Sequence, residues 1–401
     1  MKRTTSVMLG TLLVGTALWC GPAFAGPQMT FGPNDEGMLQ LDYKGQFQMA
    51  VRDNGSGADQ NGETMSFNFR RNRLALMGAY GDMFTLYVQT EYVDSQNLSL
   101  PFQVSDDRPS KDFTILDAAL RFNFHDSFKV TAGKFKYNFT RENLDACETP
   151  LTLDRSLFIR ANESTRDNGV AVWGNFLDGM FQYRADVMEG RTATDAAAPQ
   201  PQSSYRYGVR GHISLLDPEK DYGYKGTYLG KKKVLTIGGA YQYEPRVAYA
   251  DTVAKTGEKN YHGYTADIFF EYPVETIGTV TASMAYEDVD FGDAYKGANP
   301  DPVAFGLNGQ KNGWYAKAGY MLPNLPLQFF GRYEKWSFAN LKLNSVDAFN
   351  QKIDWYGMGA NYYFRDQNLK LTFEYSTTDF AAENSESKDF NMFVTALQLI
   401  F

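Results

Sequence analysis

The chain has 401 residues, with 39 Lys+Arg against 47 Asp+Glu and a formal net charge of −8, a balance that argues against a general nucleic-acid binder. Hydrophobic residues make up 43 %, aromatics 15 %, and there are 36 Gly; that is too apolar for a disordered chain and is weighted towards pleated sheet with tight turns. Three His and two Cys leave few ligands for a zinc or iron–sulfur site, so no metal and no cofactor is expected.

Residues 1–25 read as a secretory signal. Lys2 and Arg3 give a basic start, Val7 to Leu18 a short apolar run, and Ala23-Phe24-Ala25 the small residues of a cleavage site before Gly26. The run is far shorter than the roughly 20 residues a membrane-spanning helix needs. Cleavage removes two positive charges, taking −8 to −10, and removes Cys20. Cys147 is then the single thiol, so no intrachain disulfide can form. Residues 26–36 make a short N-terminal segment, and 37–401 make one domain.

That domain alternates. In Leu39 to Val51 the odd positions Leu39, Leu41, Tyr43, Phe47, Met49 and Val51 are apolar, with Gly45 among them, while Gln40, Asp42, Lys44, Gln46 and Gln48 are polar, the period of a strand with one greasy and one wet face. The pattern predicts sixteen strands near 37–52, 64–81, 83–94, 112–125, 127–137, 167–177, 179–190, 203–216, 232–245, 259–273, 275–290, 311–322, 325–338, 351–365, 367–380 and 388–401. In 67–80 Arg70, Arg71 and Arg73 break the parity, and a bulge of unassigned position would restore it. Very short turns alternate with long polar loops, as in outer-membrane barrels. The stretch 217–231 is the exception, long where a short turn is due, and reads as a periplasmic excursion.

A soluble sandwich also alternates, but three features favour a membrane barrel. The segments run to about 11–16 residues, whereas soluble strands cluster near 5–6 and a tilted bilayer crossing needs about 9–11. The polar face carries full charges (Asp42, Glu91, Arg121, Arg210, Glu374) that line water at lower cost than they fill a dry core. Aromatics such as Tyr43, Tyr92, Phe124, Tyr243, Tyr272, Tyr286, Trp314, Tyr320, Trp355 and Tyr363 fall near segment ends, as interfacial girdles do. Sixteen strands leave an aqueous channel, with both termini on the periplasmic side. The longest loop, 138–166, is rich in charge and is expected to fold into the lumen and narrow it. Phe401 on a closing strand resembles the signal that outer-membrane insertion machinery reads.

FNFRRNRLALMGAYG at 67–81, LDAALRFNF at 116–124, AGKFKYNFTRENL at 132–144, RDNGVAVWG at 166–174, GWYAKAGYML at 313–322 and GMGANYYFRDQNLKLTFEY at 357–375 resemble the phosphate-selective porins O and P over about 39–401. The resemblance implies a homotrimeric, sixteen-stranded antiparallel porin of the Gram-negative outer membrane, embedded in lipid and passing small anions such as phosphate through an arginine-lined pore. The matching positions are Arg70, Arg71 and Arg73, then Lys136, Arg141 and Glu142, then Arg166, Asp167 and Gly169. The chain departs from the family at Asn138-Phe139-Thr140, where a Pro-Phe-Gly step is common. By parity Arg121, Arg184, Arg206, Arg210 and Arg332 also face inward, but so do Asp42, Glu91, Asp117, Asp186, Asp267, Glu287 and Glu334.

Guanidinium groups stay charged and hold oxyanions bidentately, so passive anion diffusion past these arginines is the expected mechanism. Alternatives are a general or cation-leaning pore, if lumenal carboxylates pin the arginines, and a barrel enzyme. His125, His212, His262 and Cys147 show no nucleophile–base spacing, so no catalytic residue is assigned.

Overall fold

A computed structural model describes residues 26–92, 113–157, 165–190, 201–202, 204–251, 254–290, 310–343, 346–381 and 388–401. The expected signal at 1–25, most of the loops 95–111 and 291–310, and Arg160 and Glu163 lie outside them. A four-residue strand, β1 (Gln28–Phe31), precedes sixteen barrel strands: β2 (Gly37–Ser56), β3 (Gly62–Tyr80), β4 (Phe84–Tyr92), β5 (Phe113–His125), β6 (Phe128–Lys136), β7 (Arg166–Phe176), β8 (Phe181–Met188), β9 (Arg206–Ser214), β10 (Val234–Asp251), β11 (Thr256–Val274), β12 (Gly278–Asp290), β13 (Gln310–Met321), β14 (Leu327–Leu343), β15 (Val346–Arg365), β16 (Leu369–Phe380) and β17 (Phe390–Ile400). One helical turn, α1 (Arg141–Leu144), lies between β6 and β7. Among the described residues no helix is long and apolar enough to cross a bilayer; the strands make the crossing.

Each barrel strand pairs antiparallel with the next, and β17 pairs with β2 from Met392 opposite Arg52 to Ile400 opposite Lys44, which closes a sixteen-stranded cylinder. Closure leaves no open edge among these strands in lipid. The seam draws both chain ends together: Tyr43 N–H donates to Phe401 O at 2.6 Å, Leu41 N–H donates to Pro27 O at 3.1 Å, and β1 then pairs with Gly37–Gln40. Period-two alternation sorts the side chains. Phe47, Phe67, Leu120, Ile268, Met358 and Leu397 face outward, whereas Asp42, Arg121, Arg210, Asp267 and Glu374 are buried inside.

The break in parity on β3 is a bulge at Arg70. Phe47 faces Phe69 and Gln46 faces Arg71, so Arg70 is an extra residue. Outward positions are odd before it (Met65, Phe67, Phe69) and Leu74 is outward after it, while Arg70, Arg71 and Arg73 all point in. A second bulge, at Leu116, sits where Gln89 faces Asp117 and Thr90 faces Ile115; it turns Leu116 inward, against its apparent parity. Next to it Gly133, at φ +122°, lets β6 approach β5 so closely that a Cβ there would meet Ala118 O at 2.2 Å.

Two expectations need correction. Trp355 and Tyr363 are not girdle residues: both are buried inside the barrel, because β15 carries lumenal positions at 353, 355, 361 and 363. The excursion at 217–231 does not hang below the barrel. β9 and β10 pair directly across it, and the segment folds up into the lumen, where Asp145 and Tyr224 form a parallel bridge.

Candidate functional site: the lumenal constriction

The site is built by two inward segments, the loop 137–157 and the strap 217–231, pressed against the barrel wall. Thr140 starts the helical turn of the loop, its Oγ1 accepting from Asn143 N–H at 2.9 Å. Polar clasps from the wall then hold the loop across the bore. Lys317 pairs with Glu142 at 2.8 Å, and Lys44 with Glu148 at 3.4 Å. Arg70 and Arg71 converge on Asp154 at 2.6 and 2.7 Å. Leu153 N–H donates to Glu374 and Leu157 N–H to Glu334, at 3.0 and 2.7 Å. Leu153 and Leu157 also join a lumenal apolar cluster with Tyr315, Trp336, Ile353 and Trp355. The loop is therefore anchored by burial as well as by charge.

The strap holds the other side. Arg141 Nη1 and Nη2 donate to both Glu219 oxygens at 2.8 and 2.7 Å, a bidentate clasp. Ala146 N–H donates to Tyr224 O at 3.1 Å and Tyr224 N–H to Leu144 O at 3.2 Å. Burial alone pushes the Glu219 carboxyl up, but the Arg141 guanidinium outweighs it and brings the group from 4.5 down to about 2. A carboxyl held below its ordinary value contributes stability in full above about pH 4.5, and loses it as pH falls through about 2. The variant Glu219→Gln should thus be less stable than wild type at neutral pH, by up to ~3 kcal/mol. Equilibrium unfolding as a function of pH checks this: the gap should close on acidification between those two values, and a gap independent of pH would contradict the clasp.

The sequence-predicted basic residues are all placed within the barrel, but carboxylates neutralise most of them. Arg73 pairs with Glu91 at 2.8 Å, Arg166 with Asp117 at 3.0 Å, Arg206 with Asp167 at 2.6 Å and Arg210 with Asp267 at 2.8 Å. Arg332 pairs with Glu374 and stacks on Trp355 at 3.3 Å. Lys136 donates to Asp145 O at 2.6 Å, and Arg184 to Gln182 Oε1 and Asp221 O at 2.7 and 3.2 Å; among the described residues neither has a carboxylate within ion-pair distance. Arg121 stacks on Trp173 at 4.9 Å and Tyr222 at 5.3 Å. Lys44, Lys317 and Lys370 also face the lumen. Strand parity was the signal that could have added them to the predicted set.

Between the loop, the strap and the β2–β7 wall lies a cavity of about 140 Å³. Lys44, Arg73, Arg121, Lys136 and Arg166 line it, with Asp117, Glu148 and Asp221 as the carboxylates. Cys147 is in its wall; burial pushes its thiol up, but the field of Arg155, Lys136, Arg73 and Arg71 outweighs this and holds it well below the usual thiol range. The three histidines are dispersed. His125 bonds Ser127 in an exposed turn, His212 bonds Tyr224 Oη inside, and His262 lies tilted at 46° against Tyr243 on the outer face.

Comparison with known proteins agrees with this architecture. No curated protein matches the chain. Its fold is similar to the anion-selective porin from Comamonas acidovorans, at 9 % identity and TM-score 0.55, covering 91 % of this chain and 100 % of that one. It is also similar to OmpF of Salmonella typhi, solved with daunomycin, at 12 % identity and TM-score 0.61, covering 93 % and 100 %. A third similar fold is the outer-membrane channel DcaP of Acinetobacter baumannii, at 12 % identity and TM-score 0.54, covering 92 % and 99 %. At these identities the likeness is one of fold. Residues 41–401 match the family described as phosphate-selective porin O and P; the chain is an outer-membrane porin, a channel rather than an enzyme, and belongs to that family.

Proposed function

We propose that this porin is a passive diffusion channel preferring small anions, with oxyanions such as phosphate among its solutes. The cavity lining carries the argument: five basic side chains against three carboxylates, or four with the Glu91 that pairs with Arg73, at the place where the loop and the strap narrow the bore. A positive excess in a narrow, partly desolvated passage lowers the barrier for anions and raises it for cations. The extensive pairing elsewhere in the lumen favours weak binding and fast exit over tight phosphate capture, and it also supports a second reading, a general pore with little preference. The wider proposal includes export by the signal at 1–25, a single barrel domain at 37–401, and a homotrimer in the outer membrane. Arg70, Arg71, Arg73, Arg121, Lys136, Arg141, Arg166, Arg184, Arg206, Arg210 and Arg332 set the lumenal field.

The zero-current potential in a KCl gradient tests the preference. Its sign should be that of an anion-permeable channel, and added phosphate should reduce the chloride current. A potential near zero would favour the general pore, and a cation-directed potential would refute the proposal. Lys136→Gln should lower the anion-to-cation permeability ratio by about twofold to fivefold without changing heat-modifiable migration of the barrel.

A further inference from the structure

Glu148 enters the cavity from the constriction loop, and its backbone and side chain are held differently. Its carbonyl oxygen accepts from Gln398 Nε2 at 3.0 Å and from Lys370 Nζ at 3.4 Å, both on the barrel wall. The next residue is tied to the strap, where Gly226 N–H donates to Thr149 O at 3.0 Å. These contacts seat the loop without help from the Glu148 carboxylate.

The carboxylate itself is in the cavity lining, with Lys44 Nζ at 3.4 Å and Arg73 Nη1 at 3.8 Å. Both distances exceed the roughly 2.7–3.2 Å of a well-formed N–H···O bond. Glu142 and Asp154, on the same loop, are clasped more tightly, by Lys317 at 2.8 Å and by Arg70 and Arg71 at 2.6 and 2.7 Å. Arg73 has its own close partner in Glu91 at 2.8 Å. Yet the field around Glu148 is strongly positive. Burial alone pushes its carboxyl up, but Lys44, Arg73, Lys136 and Arg71 outweigh this and hold it well below the usual carboxylate range. The group is thus a full negative charge, attracted by several cations and locked to none by a short bond. A carboxylate and an oxyanion solute offer the same acceptor oxygens to the same donors, so each can take the other's place.

We propose that Glu148 is a specificity-determining residue: its carboxylate is a tethered competitor for the cationic pocket of Lys44 and Arg73, and an oxyanion such as phosphate must displace it to bind there. The competition keeps binding weak enough for release, while the backbone contacts keep the loop seated as the side chain turns aside. The inference rests on the anion preference proposed above.

Block of the chloride current by inorganic phosphate, measured in planar bilayers with the purified full-length channel, tests it. Glu148→Gln removes the competing charge and should lower the half-blocking phosphate concentration by about tenfold. Glu148→Asp keeps the charge but draws the carboxylate back by one methylene, so its value should fall between those of wild type and Glu148→Gln; it carries the test if Glu148→Gln does not fold. Glu287→Gln removes a buried lumenal carboxylate that lies outside the cavity lining and should leave the value as in wild type. An anion-preferring wild type whose Glu148→Gln variant, or Glu148→Asp in its place, is blocked no better than itself would overturn this inference alone. So would a Glu287→Gln variant blocked as readily as Glu148→Gln, because the effect would then be one of total lumenal charge. A wild type without anion preference would overturn the underlying reading and this one with it.

Discussion

Replacing Asp154 with asparagine should destabilise the barrel by about 3–5 kcal/mol, the cost of leaving buried charge without its partner. Two guanidinium groups, those of Arg70 and Arg71, meet this one carboxylate at 2.6 and 2.7 Å, and all three side chains are buried. The Arg70 bulge is what makes the arrangement possible, because it turns two consecutive side chains into the lumen. The effect should be read twice. Urea unfolding from detergent reports the stability loss. The zero-current potential should move towards greater anion preference, since the carboxylate charge of Asp154 no longer offsets the two arginines. Unchanged stability together with unchanged permeability would show that the Asp154 clasp does not hold the loop.

The second large effect is expected at Trp355. Its side chain is fully buried, covered by the Arg332 guanidinium at 3.3 Å, in the apolar cluster that seats Leu153 and Leu157. Trp355→Ala opens a void there and should cost about 3–5 kcal/mol. It also removes the surface on which the constriction loop rests. Single-channel recordings should show a larger and noisier open conductance than wild type, alongside a lower unfolding midpoint. A quiet channel of wild-type conductance would mean that the loop is held by its polar clasps alone.

The strands were legible because lipid outside and water inside impose a period of two over every crossing, and few other forces act on those positions. Parity alone placed Arg121, Arg184 and Arg210 inside, where they lie. Parity failed where the backbone adds a residue. At Arg70 the arginine run announced a bulge without placing it, whereas the bulge at Leu116 left no sign, because an apolar residue there fits the outward parity it departs from. It failed differently at Trp355 and Tyr363. An aromatic near a strand end suits an interface, but it suits an inward cluster equally well, and only the register on β15 decides. The strap was visible as an anomaly of length, and its inward course was not. Tyr222, Tyr224 and Glu219 follow no period, and their places are fixed by partners such as Arg141 and Arg184 that lie far away in sequence. The pairing of most lumenal arginines was foreseen only as an alternative, because which carboxylate meets which guanidinium depends on how the loop crosses the bore.

The most direct measurement is single-channel current through the purified protein in a planar bilayer bathed in KCl. A water-filled bore with a positive excess at its narrowest place predicts steady steps whose conductance rises with salt, and a reversal potential directed towards the chloride equilibrium value. A protein that inserts as a folded barrel yet carries no current, or one whose reversal potential follows potassium, would contradict the account.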